Sequence, residues 1–207
     1  MKYVKITFIC IYLLLLVTGL AVQSSALQPI RLSRKMPAVV VRRGPVPEYG
    51  SVRRVLDGDT YEVLLPAGLV RLRLLRVDAP ELSQPYGKQA AALVAGLLRG
   101  RLLEVSRTGG STYGRVLAGL RVAVPTSGGT RHWLRVDSML VAQGWAWAYE
   151  PGQATPDLAG LQRLAQHYRR GLWQCGTATA VRPGIWRAYN KQEKARAWVG
   201  CSGWPRE

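Results

Sequence analysis

Cysteine, histidine and acidic residues are all scarce in this chain, and each scarcity removes a class of chemistry. The three cysteines, Cys10, Cys175 and Cys201, form no CxxC pair, which leaves no dithiol redox motif and no cysteine-based zinc site. The two histidines, His132 and His167, have no carboxylate or cysteine at ligand spacing and read as ordinary surface or core residues. Acids number 12 against 29 lysines and arginines, a formal charge of +17. Such an excess bears on partners rather than on fold. Nucleic acid comes first among them and an anionic membrane surface second. Arginine far outnumbers lysine, and its planar fork of donors suits phosphate. Internal repeats and low-complexity segments are also missing, so the chain reads as one ordinary domain with extensions.

What is present begins with an export pattern. Lys2 and Lys5 precede an uncharged apolar run from Ile6 to Val22, and Gln23-Ser24-Ser25-Ala26 supplies small residues for a peptidase. Removal after Ala26 is expected, giving a secreted or periplasmic protein; the alternative is a retained membrane anchor. Removal takes two lysines and no acid, lowering the formal charge from +17 to +15. No cysteine follows the apolar run closely, which argues against a lipoprotein. Cys10 leaves with the signal, and an oxidising compartment allows Cys175 and Cys201 to pair. Residues 27–48 read as a basic, proline-bearing linker with one candidate strand at Val39-Val40-Val41, 49–174 as the domain, and 175–207 as a Trp- and Arg-rich C-terminal extension.

Within the domain, β-branched and apolar runs predict strands over 51–56, 60–65, 69–77, 102–107 and 116–124, with turn signals at Asp57-Gly58-Asp59 and Pro66-Ala67-Gly68. Ala90, Leu93, Val94, Leu97 and Leu98 recur at helical spacing over 87–99, and Gly100 suits the left-handed residue that ends a helix. Asp137 is expected to cap a short helix stopping at Gly144. Thr155-Pro156 reads as an N-cap and first turn of a helix reaching Gly171. Three strands, a helix, two strands and two helices give an α+β chain built on a five-stranded OB-type β-barrel, closure removing the exposed edges.

Three clusters carry candidate chemistry: Asp57-Gly58-Asp59-Thr60 at a tight turn, Arg73-Leu74-Leu75-Arg76-Val77-Asp78-Ala79-Pro80-Glu81 at a strand end, and Tyr113-Gly114-Arg115 opening a strand. Taken singly, each has a plain structural reading as a turn or a helix-start signal. In this order, with Pro85-Tyr86-Gly87-Lys88 and Gln143-Gly144-Trp145-Ala146, they resemble the staphylococcal nuclease (thermonuclease) family over roughly residues 50–174.

The resemblance implies a calcium-dependent endonuclease that hydrolyses DNA and RNA with little sequence specificity, water attacking phosphorus to leave 3′-phosphate ends. It implies that Asp59, Asp78 and the backbone carbonyl of Ala79 hold Ca2+, with Asp57 acting through water. Glu81 then positions or deprotonates the attacking water, Arg73 and Arg115 grip the phosphate, and Tyr113 and Tyr149 contact the nucleotide. No small-molecule cofactor is implied, a monomer is expected, and membrane is a partner only if the N-terminal segment stays. Trp145 and Trp147 either stack bases or belong to the core. The chemistry suits the residue types. A hard divalent ion and two guanidiniums offset the charge that repels hydroxide from a phosphodiester.

Two features depart from the family: the short stretch Leu82-Ser83-Gln84-Pro85, and Thr112 in place of a lysine. The extension, 175–207, has no counterpart there and reads as extra nucleic-acid contact or a flap fastened by a Cys175–Cys201 bridge. The rival reading is a catalytically inactive OB-type binding module, opposed by the presence of all five of Asp59, Asp78, Glu81, Arg73 and Arg115. Arg73 and Asp78 lie an odd number of residues apart, so a regular strand sends them to opposite faces. The site therefore requires a break near Arg76-Val77.

Overall fold

Alternation of apolar and charged side chains builds the first sheet of the computed structural model, which describes residues 46–149 and 156–197. Strand β1 (Glu48–Val55) pairs antiparallel with β2 (Thr60–Leu65), and β2 with β3 (Gly68–Leu74). Tyr61, Val63, Leu65, Leu72 and Leu74 turn inward and are buried, while Glu62, Leu64, Arg71 and Arg73 between them face outward or toward the site. After helix α1 (Gly87–Leu98) come β5 (Leu103–Thr112), β6 (Arg115–Pro125) and β7 (Arg131–Arg135). Strand β5 pairs with both β1 and β6, and β6 meets β3 in parallel through Leu72↔Val116 to Leu74↔Ala118. That contact closes a ring of five strands, β1-β2-β3-β6-β5, as the strand pattern predicts, and leaves β7 as an added strand on β6. Val94 and Leu98 of α1 join the barrel core of Tyr61, Val63, Leu72, Leu103, Val105 and Val122. Gly100 ends that helix region with φ +67°, as expected of a left-handed closing residue.

The third strand stops earlier than its hydrophobic pattern suggests. It ends at Leu74, Arg76 takes φ +70°, and a new two-residue strand, β4 (Val77–Asp78), pairs with β8 (Trp147–Ala148) instead. The break required by the spacing of Arg73 and Asp78 is therefore present, one residue before the expected place. Ion pairs from Arg76 to Asp157 (2.8 Å) and to Asp137 (3.3 Å) hold the turn from outside.

Helix α2 (Val136–Ala142) corrects one expectation. Asp137 is not its N-cap; Arg135 occupies that place, and Asp137 sits inside the first turn, accepting from the Ser138 N–H at 2.7 Å and from Arg135. Helix α3 (Pro156–His167) begins with proline at its first position. A short 3-10 turn (Gly171–Trp173) follows. Gly144 and Gly171 abut so closely that a Cβ on either would lie 2.2 Å from a backbone carbonyl oxygen of the other segment. Around them Tyr86, Ala90, Trp147, Ala165, Leu172 and Trp173 form a second apolar cluster. Trp147 is buried in it, edge-on to Trp173 at 5.6 Å, and Trp145 packs against it partly buried, so the core reading holds for Trp147 and base stacking does not.

Two helices lie in the extension where the sequence shows no pattern, α4 (Pro183–Ala188) and α5 (Lys191–Arg196). The segment read as linker gives up its last residue, Glu48, to β1. Thr155, the export segment, the Val39-Val40-Val41 run and Cys201 lie outside the described residues. Among the described residues no helix is long and apolar enough to cross a membrane.

Candidate active site

The barrel closure brings the three clusters together. Gly58 lies so near the loop after β4 that a Cβ there would meet the Ala79 Cβ at 2.6 Å, so only glycine lets the Asp57–Asp59 turn approach this closely. Asp59 crosses that approach: its Oδ2 accepts the Ala79 N–H at 2.7 Å. Asp57 Oδ1 accepts the Asp59 N–H at 3.0 Å, and Tyr61 fastens the turn by donating its hydroxyl to the Gly58 carbonyl at 2.7 Å.

Arg73 joins the two carboxylates. Its Nη1 lies 2.5 Å from Asp59 Oδ1 and its Nη2 2.9 Å from Asp78 Oδ1, so both acids face one region of space. Burial pushes the Asp59 carboxyl well above its usual range; Arg73 opposes this, and the nearby charge of Asp57 adds to it. Burial also works to lower the Arg73 guanidinium, but the charges of Asp59 and Asp78 outweigh it and its pKa rises. One guanidinium thus only partly offsets the burial of Asp59.

The donors present are hard oxygens, two carboxylates with neighbouring carbonyls, which suits Ca2+ or Mg2+ rather than zinc. Among the described residues no three His, Cys, Asp or Glu side chains are grouped as a metal site, so a bound ion would draw the rest of its ligands from carbonyl and water oxygen.

Arg115 reaches the same place from the opposite hairpin. Residues Thr112 and Arg115 pair across Tyr113 and Gly114, both with positive φ (+49° and +72°), which is the two-residue turn that matches strand twist. That geometry opens β6 with Arg115 and leaves Tyr113 almost wholly exposed, the guanidinium 5.9 Å from its ring centre. Arg115 Nη1 lies 3.5 Å from the Thr60 hydroxyl, which itself donates to Asp59 Oδ1 at 3.2 Å. Among the described residues, no carboxylate pairs with Arg115.

Glu81 is reached through its own loop. Gly87 packs against the Glu81 carbonyl with no room for a Cβ (1.8 Å), and the buried Gln84 accepts the Glu81 N–H at 3.2 Å. A cavity of about 370 Å³ results, lined by Asp57, Arg73, Glu81, Tyr113, Arg115 and Arg187. Asp59 and Asp78 lie behind it on Arg73, Ala79 sits buried between them, and Tyr149, half-exposed at the end of β8, does not line it. Arg187 was not among the residues the sequence singled out, and nothing in its local pattern marks it.

The sequence profile of the staphylococcal nuclease homologue family matches residues 71–175. This chain belongs to the staphylococcal nuclease family. Among its relatives, an uncharacterized endonuclease of Escherichia coli is 38% identical over 139 residues, covering 67% of this chain and 84% of that protein. The micrococcal nuclease of Shigella flexneri is 32% identical over 164 residues, 76% of this chain and 93% of its own. A protein of Escherichia coli named ParB is 36% identical over 140 residues, 67% and 78% respectively. The closed barrel with its helices is the family fold, and the profile match runs from the second half of β3 through α1, Arg115 and the second apolar cluster.

Proposed function

We propose that this nuclease-family chain is an exported, calcium-dependent phosphodiesterase that hydrolyses DNA and RNA with little sequence specificity and leaves 3′-phosphate ends. The observation that carries the reading is one cavity bordered by Glu81, Arg73 and Arg115, with the paired acids Asp59 and Asp78 bound to the same Arg73. Asp59, Asp78 and the Ala79 carbonyl would hold the ion, aided by Asp57 through water. When bound, calcium supplies electrostatic neutralisation of the phosphodiester and of the charge developing on it.

The chain's own residues do the rest. Arg115, without a carboxylate partner among the described residues, donates to the non-bridging phosphate oxygens, and Arg73 does so from the other side. Glu81 orients a water for in-line attack and accepts its proton, while the bond from phosphorus to the 5′ oxygen breaks and that oxygen takes a proton from solvent to leave as a 5′-hydroxyl. Tyr113, exposed beside Arg115, contacts the nucleotide; Tyr149 does so from outside the cavity. Cys175 is disulfide-bonded, which supports an oxidising destination. On this reading residues 1–26 are the signal, 27–48 the linker, 49–174 the nuclease domain and 175–207 the extension, in a monomer that meets membrane only if the signal is kept.

Purified chain incubated with DNA or RNA and calcium should degrade both, and a chelator should stop it. Degradation in chelator refutes the metal, and no degradation with calcium or magnesium refutes catalysis and favours a binding module. Glu81→Gln and Arg115→Ala should each lower turnover by ~10²–10³ with unfolding unchanged. Near-normal rates in either variant overturn its role.

A further inference from the structure

The C-terminal extension brings a charge into the active site that the catalytic set does not include. Arg187, on α4, lines the cavity with Arg73 and Arg115, and its Nη1 donates to Glu81 Oε1 across 106 positions of sequence. Its placement is built rather than incidental. The neighbouring Trp186 is buried and donates its indole N–H to Ser83 Oγ at 3.2 Å. Gln84 uses both ends of its side chain, accepting from the Glu81 backbone and donating to the Val181 carbonyl. The extension is thus docked on the 81–84 turn at two points just ahead of Arg187, Val181 and Trp186.

The three guanidiniums differ in commitment. Arg73 is bound to two acids, and Arg115 pairs with none among the described residues. Arg187 holds one acid in the open: its side chain is 60% exposed and that of Glu81 36%, so solvent weakens the pair and it exchanges readily. A nucleic-acid strand presents a phosphate at every nucleotide, and a second guanidinium–phosphate contact replaces the Glu81 contact without a buried charge being left alone.

We propose that Arg187 is a third phosphate-binding guanidinium, engaging a backbone phosphate of the bound strand and releasing Glu81 as it does so. Substrate arrival thereby frees the carboxylate that the reaction needs. This rests on the nuclease reading above.

The test uses the full chain as exported, comparing wild type, Arg187→Gln and Arg187→Lys. Binding of a short labelled duplex is measured in chelator between about 50 and 200 mM salt, and KM and kcat are measured with calcium. Arg187→Gln should bind about tenfold more weakly, with the slope of log affinity against log salt shallower by ~0.9. KM should rise about tenfold while kcat changes far less, and Arg187→Lys should restore the slope. Unchanged unfolding would show that the extension remains docked. Wild-type slope and affinity in Arg187→Gln overturn the proposal, as does a rise in kcat with slope and KM unchanged, which would make the contact only a brake. Failure of wild type itself to cleave with calcium would instead sink the nuclease reading.

Discussion

Gly58 offers the sharpest perturbation because its neighbours are both structural and chemical. Apolar carbons rest at about 3.5–4.0 Å, whereas a Cβ on residue 58 would stand 2.6 Å from the Ala79 Cβ. Gly58→Ala must therefore push the Asp57–Asp59 turn and the Ala79 loop apart by about 1 Å. The Asp59–Ala79 hydrogen bond of 2.7 Å spans that gap and is strained directly. Overpacking of this kind costs about 1–3 kcal/mol of stability, and a displacement of that size among reacting groups costs ~10²-fold in turnover. Ala79→Gly alone should cost about 1–2 kcal/mol, from one lost buried methyl and a freer backbone. The double variant Gly58→Ala/Ala79→Gly removes the collision, because the next atoms then lie at 3.9 Å. It should be hardly less stable than Ala79→Gly alone, a coupling of about 1–3 kcal/mol, with most turnover regained. Urea unfolding midpoints and calcium-dependent cleavage rates on all four proteins decide it. Wild-type stability and turnover in Gly58→Ala, or strictly additive costs in the double variant, would refute the close-approach reasoning.

Two further outcomes follow from burial. Because burial raises the Asp59 carboxyl, the metal-free fold binds its proton more tightly than the unfolded chain does. That group's contribution to stability therefore falls as pH rises from the ordinary range near ~3.9 through the raised folded value. On the proposed reading a calcium ion held by Asp59 has to expel the same proton, so a calcium-induced rise in Tm should fade on acidification while still above the ordinary carboxylate range; a midpoint at or below ~3.9 counts against it. Trp147→Ala should lose ~3–5 kcal/mol in urea unfolding, since the ring is core against Trp173, yet leave KM unaltered for folded protein. A raised KM with little loss of stability would return Trp147 to base stacking.

The sequence exposes the barrel most plainly in its third strand: Val70, Leu72 and Leu74 against Arg71 and Arg73 is a period-two pattern written in the residue types themselves. The break before Asp78 was legible only as a parity requirement, since the apolar run through Leu75 and Val77 disguises the turn at Arg76. Asp137 looked like a cap because its type suits one, but Arg135 takes the backbone position and ties Asp137 sideways. The clusters around Asp59, Asp78, Glu81 and Arg115 were readable as motifs, each being a short run fixed by its turn. Arg187 was not. Its helix has six residues, too few to show periodicity, and its position comes from Trp186, Gln84 and Ser83, contacts made across about half the chain.

Strand β6 divides its length between two tasks, its first residues meeting β3 beside the cavity and its last ones carrying β7. Ten residues separate Arg115 from Pro125, roughly 33 Å of extended chain. The turn at Thr126–Thr130 beyond it is solvent-facing and closed on itself by Thr126 and Thr130. A fluorophore or affinity handle grafted there rides on the same rigid rod as the guanidinium it must not disturb, which makes that tip a natural attachment point for watching the enzyme at work.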